Sequence, residues 1–185
     1  MTFLPNKIER YTAALRSYIQ FSALRNGFNT KNCEKLKKIY NFEALFSEEI
    51  IPINIYYYLS DLLTAVFIIK NEKGLPFRFN IKFSINCLIN VKTFTALILN
   101  ICSKAEFVEI SFLNGNLIIK TNIKLTKHSL KLSKKLKGCV FYEIKTNTLF
   151  IKLPVTSTDK KVMSFSENSI EDYVLNPFSI VNIFL

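Results

Sequence analysis

The sequence predicts an α+β protein: an N-terminal helical hairpin, then a two-layer α/β sandwich whose sheet is mostly antiparallel. Three observations carry that expectation. Residues 5–46 hold two apolar stripes at three- and four-residue spacing, parted by Gly27–Thr30. Residues 77–85, FRFNIKFSI, alternate strictly between apolar and polar side chains. Residues 108–119 and 140–153 each read as strand–turn–strand, with helical segments before and between them. Hairpins of strands with helices on one face define the class.

The first helix takes residues 5–26, with Ile8, Tyr11, Leu15, Tyr18, Ile19 and Ser22 on its inner face. Thr30 caps a second helix that runs to Phe46 and buries Cys33, Leu36, Ile39, Tyr40 and Leu45. Residues 51–55 form an extended link. A third helix spans Tyr56–Lys70 and stops at Gly74. The strand 77–85 follows, with Phe77, Phe79, Ile81, Phe83 and Ile85 on one face. A helix over Asn90–Lys104 buries Phe94, Leu97, Ile98, Ile101 and Ala105. Val108, Ile110 and Phe112 then make a strand that turns at Asn114-Gly115 into Leu117–Ile119. Leu125–Lys137 is a basic helix stopped by Gly138, and two further strands end at Pro154. Residues 156–169 read as a linker, and SIVNIFL at 179–185 as a strand or docking peptide too apolar to stay in water. The expected division is 1–50 hairpin, 51–155 sandwich, 156–185 linker and tail.

A chain of 185 residues can bury a core without staples. With 49% hydrophobic residues and a mean hydropathy of +0.20, it carries apolar surface enough for a partner or for self-association. Lys and Arg number 25 against 14 Asp and Glu, giving +11, which suits nucleic acid, an anionic membrane or an acidic protein. The most apolar stretch, Tyr56–Ile69, is broken by Ser60, Asp61 and Thr64, so it reads as a core helix and not a membrane span. The start, MTFLPNKIER, lacks a charged-then-apolar signal pattern, and the expected location is cytoplasmic. Cys33, Cys87, Cys102 and Cys139 are scattered without a CxxC pair, and read as reduced core residues with no metal or disulfide role.

Two segments carry chemistry-like patterns. LNICSKA (99–105) and KGCVFYEIKTNTLFIKLP (137–154), in this order behind a helical hairpin, resemble the sensor histidine kinases, whose dimerisation hairpin precedes a Bergerat-type ATPase domain. In that family the helix matching 99–105 ends in an asparagine that holds Mg²⁺ against ATP. The matching residue here is Lys104, an ammonium with no oxygen to offer a hard cation. Asn100 matches an earlier, accessory asparagine. The family's adenine-reading aspartate has no counterpart, because no aspartate lies between Asp61 and Asp159; Asn122 stands nearest to its place. A glycine-rich lid is also absent, since none of the four glycines falls between 116 and 137. The phosphoacceptor histidine is missing too: residues 1–50 have none, and His128 lies on the basic helix.

The resemblance therefore implies an inactive histidine-kinase-like signalling protein, bacterial and cytoplasmic, that binds no cofactor. Asn100, Lys104 and Asn122 are then relics of a nucleotide site. It further implies a homodimer through Ile8, Leu15, Ile19, Leu36 and Ile39 in a four-helix bundle. The implied partner is a response regulator or a true kinase, met by Lys124, Lys127, Lys131, Lys134 and Lys135. Two other classes stay open. One is a divergent ATPase or phosphotransferase that uses ATP and Mg²⁺ through Asn100, Lys104 and Asn122. The other is a nucleic-acid-binding protein using the basic helix 124–137.

Overall fold

The structure, a computed structural model, describes residues 3–136, 140–155 and 174–185. Lys137, the stop at Gly138, Cys139, the linker 156–169 and Tyr173 lie outside the described residues. The hairpin forms as α1 (Phe3–Asn26) and α2 (Thr30–Phe46), with Gly27 in the left-handed region at φ 84°. Asn29, not Thr30, caps α2: its Oδ1 accepts from the Asn32 N–H at 3.0 Å. The inner face of α1 is also rotated from expectation. Thr12, Ile19 and Ala23 are buried, whereas Tyr11 and Tyr18 stand 68% and 72% exposed. Thr12 tolerates burial because its hydroxyl donates to the Ile8 carbonyl at 2.9 Å. Small side chains at 12 and 23 let α2 approach closely.

Next come β1 (Ile51–Asn54), α3 (Ile55–Glu72), β2 (Arg78–Ile81), β3 (Asn86–Ile89) and α4 (Val91–Cys102). They are followed by β4 (Phe107–Leu113), β5 (Asn116–Thr121), α5 (Lys127–Lys135), β6 (Val140–Glu143), β7 (Thr148–Lys152) and α6 (Ile180–Phe184). Five strands build one sheet in the order β2-β4-β5-β7-β6; β2 runs parallel to β4 and the other pairs are antiparallel. A separate antiparallel pair joins β1 to β3, so the expected link 51–55 is a strand for most of its length. Asn114 and Gly115 both take positive φ at the β4–β5 turn.

Two expectations are corrected. FRFNIKFSI does not run as one strand: only Arg78–Ile81 pairs in the main sheet, although its side chains alternate in burial through Ile85. The Lys82 N–H closes that ladder on the Ile110 carbonyl. Beyond it Asn54 Nδ2 donates to Ser84 Oγ and Asn86 Oδ1, drawing the chain across to β1. The second correction is SIVNIFL, which is helical and not a strand. Ser179 Oγ accepts from the Asn182 N–H at 3.2 Å and starts the helix, a capping signal that outweighs an ambiguous short apolar run. The tail does dock: Val181, Ile183 and Phe184 are buried where α6 meets α2, α3 and α4.

Everything centres on α4. Four of the expected core residues lie on it and are buried, with Ala105 buried just past its end, but so are Thr93, Thr95, Ala96, Leu99 and Cys102, which leaves almost no free face. On one flank α3 runs alongside, with the Tyr58 and Thr95 hydroxyls bonded and Lys70 Nζ donating to the Ala105 carbonyl at 2.6 Å. Lys70 is buried, and burial lowers its pKa against the opposing pull of Cys102 and Glu106; Phe77 offers it a ring face at 5.0 Å. On the other flank α2 runs antiparallel to α4. Asn90 Nδ2 donates to the Ser47 carbonyl (2.9 Å), Thr93 Oγ1 to the Ala44 carbonyl (2.6 Å) and Asn100 Nδ2 to Asn41 Oδ1 (2.7 Å). The sheet's inner residues, among them Val108, Ile110, Leu117, Ile119, Leu149 and Ile151, belong to the same core. Burial pushes the Cys87 and Cys102 thiols up to about 12, as suits inert core cysteines.

Candidate functional site

The residues singled out around α4 do not converge. Asn100 lies on the face that α2 covers: besides its bond to Asn41, its amide donates to the Ala96 carbonyl at 2.7 Å. Lys104 is exposed just past the helix end, in a turn whose N–H bonds the Ile101 carbonyl. Its charge is felt by Lys37 of α2, which is half-buried; burial first, and then Lys104, lowers the Lys37 pKa. Lys37 Nζ donates to the Phe184 carbonyl at 3.0 Å and sits 5.0 Å from that residue's ring. The ground beside Lys104 is therefore held by α2 and α6.

Asn122 has a different occupation. Its Oδ1 accepts from the backbone N–H groups of Glu106 and Phe107, at 3.0 and 3.2 Å, fixing the chain where it enters β4. That oxygen is the atom an adenine amine would need. Beyond it β5 reaches α5 through a few residues tied down at several points. The Ile123 N–H reaches Thr121 Oγ1, the Leu125 N–H reaches Tyr142 Oη, and Thr126 caps α5. This connection has neither glycine nor slack to fold over a triphosphate. Among the described residues no three His, Cys, Asp or Glu side chains gather where they could hold a metal ion. No described helix is long and apolar enough to cross a membrane.

The basic helix follows its sequence pattern closely. Leu125, Leu132 and Leu136 are buried, while Lys124, Lys127, Lys131, Lys134 and Lys135 are exposed. Lys134 and Lys135 also line a cavity of about 540 Å³ with Ser47, Glu48 and Asn90. His128, half-buried on α5, has an Nε2 without a hydrogen-bond partner among the described residues. Burial, and then the charge on Lys131, hold its pKa below the ordinary 6.5. The folded state thus binds this proton less readily than the unfolded chain, so stability is full above the unfolded value and falls as pH drops through it. The melting temperature should decrease between about pH 7.5 and 5.5, and His128→Leu should flatten that decrease. An unaltered slope in His128→Leu would assign the effect to carboxylates instead.

Of the hairpin residues expected to face a second copy, Ile19 and Leu36 are buried within the chain. Ile8, Leu15 and Ile39 instead line an open groove of about 440 Å³ between α1 and α2, with Tyr11 and Phe42. The ties made by Asn41 and by Asn90 escaped the sequence reading. For Asn90 a signal existed, an asparagine set directly before an apolar helix.

No family model matches the chain, and no curated protein matches it. Solved structures do. Acinetobacter baumannii histidine kinase AdeS is similar over 80% of this chain and 97% of its own, at 12% identity and a TM-score of 0.46. The cytoplasmic segment of histidine kinase QseC is similar over 71% of this chain and 91% of its own, at 13% identity and a TM-score of 0.39.

Proposed function

We propose that this chain is a non-catalytic signalling protein with a histidine-kinase-like body, acting by docking a protein partner rather than by phosphoryl transfer. The observation that carries the reading is the cover on α4: Asn41 of α2 holds Asn100, α6 lies against α2 and α4, and Asn122 is engaged by backbone. A nucleotide would have to displace α2 to reach Asn100 and break two backbone hydrogen bonds to use Asn122. Lys124, Lys127, Lys131, Lys134 and Lys135 form the docking surface, and its complement is an acidic domain such as a response regulator or a kinase. A second copy meets the open groove at Ile8, Leu15 and Ile39.

Calorimetric titration of the full chain with ATP and ADP, with and without Mg²⁺, tests the reading. No heat and no thermal shift are expected. Saturable binding that Lys104→Ala abolishes would overturn it in favour of a divergent ATPase.

A further inference from the structure

The strands of the main sheet have a second face. Val108, Ile110, Leu117, Ile119, Leu149 and Ile151 point into the core, so the alternate residues of β4, β5 and β7 point away from it. The pairing register puts Phe141 of β6 beside Phe150 of β7, Phe150 beside Ile118 of β5, and Ile118 beside Ser111 of β4. An apolar row thus crosses three strands on the outer face, β6, β7 and β5, and ends at Ser111 of β4. The two rings are 5.8 Å apart between centroids and inclined at 43°, and Phe141 is 62% exposed.

Cations flank that row. Lys120 lies two residues along β5 from Ile118, and Lys152 two residues along β7 from Phe150, each about 7 Å from the row on opposite sides. Arg78 and Lys82 extend the charge at the β2 edge. The acidic residues of this face are already engaged: Glu109 is paired with Lys82, and Glu143 Oε2 accepts from Thr146 Oγ1 at 2.6 Å. Arg78 and Lys152 make no ion pair among the described residues. Lys120 stands opposite Glu109 in the register, but Arg78 and Lys152 remain without a carboxylate partner among the described residues. An exposed ring beside a half-buried one, next to such cations, calls for a partner that is anionic and has flat π-faces.

Protein interfaces favour phenylalanine and arginine, which this face has, but are depleted in lysine, which supplies most of its cations. Duplex nucleic acid hides its base faces in the stack. Single strands offer both features, and a flat sheet with aromatic side chains is a known physical solution for holding them. We propose that the outer face of the sheet binds single-stranded nucleic acid, with Phe141 and Phe150 stacking on bases and Lys120, Lys152 and Arg78 meeting phosphates. Readout is by stacking and charge, so binding discriminates little among sequences. This face is distinct from α5 and independent of the partner surface there.

The test is fluorescence anisotropy of the full chain with short labelled oligothymidylate and oligouridylate. Phe141→Ala should weaken binding about tenfold or more without moving the melting temperature, because the ring is mostly in water. Phe141→Trp should restore it. Lys120→Glu with Lys152→Glu should weaken binding and reduce the salt slope by about 1.4, whereas Lys131→Glu with Lys134→Glu on α5 should leave it in place. Absence of binding by the unmodified chain would overturn the proposal. So would equal affinity for duplex, displacement by polyglutamate at matched charge, or wild-type binding by Phe141→Ala. Loss only on reversing the α5 lysines would move the nucleic-acid surface to that helix and overturn it as well.

Discussion

Phe94→Ala is expected to lower the free energy of unfolding by about 3–5 kcal/mol. Phe94 is fully buried at the first turn of α4, with the Tyr58 ring 6.2 Å away. Sheet, α3 and α2 all rest on this helix, so none can collapse into the void without releasing another. Such a loss is a large part of the roughly 5–15 kcal/mol that holds a domain together. Phe94→Leu keeps most of the volume and should cost about 1.5 kcal/mol or less. Urea unfolding followed by circular dichroism would separate the two variants by their midpoints. If Phe94→Ala unfolds at the wild-type midpoint, α4 is not the centre of the core.

Deleting residues 174–185 should have an effect of similar size. Val181, Ile183 and Phe184 are buried, and each contributes about 1.5–3 kcal/mol when withdrawn from water. The ordering of the segment opposes this gain, so the net loss is smaller than the gross sum. Lys37 would also lose both its carbonyl acceptor and its ring neighbour while remaining beside Lys104. The shortened chain should melt far lower or precipitate. Leu175→Ala, at a position 78% exposed, should behave as wild type and serves as the control. An unchanged melting curve after the deletion would show that α6 adds nothing to the core.

What the sequence disclosed followed from how locally each element is determined. α3 and α4 were legible because long apolar periodicity acts within a few residues, and for α3 Gly74 marked the stop. The β4–β5 hairpin was legible because Asn114-Gly115 takes up the positive φ that the turn demands. β1 and β3 were not, since IPIN and NCLI are four residues long and acquire their meaning only from each other. SIVNIFL misled for the same reason: seven residues leave strand and helix undecided until Ser179 and the groove beside α2 settle them. The inner face of α1 was misread because size outweighed hydropathy, with Thr12 and Ala23 turned inward and two tyrosines outward. At the candidate site the missing aspartate and glycines could be read directly. The occupations of Asn100 and Asn122 could not, because Asn41 and Glu106 are neighbours only in the fold.

The bond between Lys37 and the Phe184 carbonyl joins residues 147 apart along the chain. Closing so wide a loop is slow, because its entropy must be met before the contact gives anything back. The β4–β5 hairpin and the α1–α2 pair, made of near neighbours in sequence, can form well ahead of it. Until that loop closes, the places that Val181, Ile183 and Phe184 fill beside α2, α3 and α4 stand open to water. Apolar surface is bare there, and closure of the chain upon itself competes with capture by another chain, a contest that concentration decides.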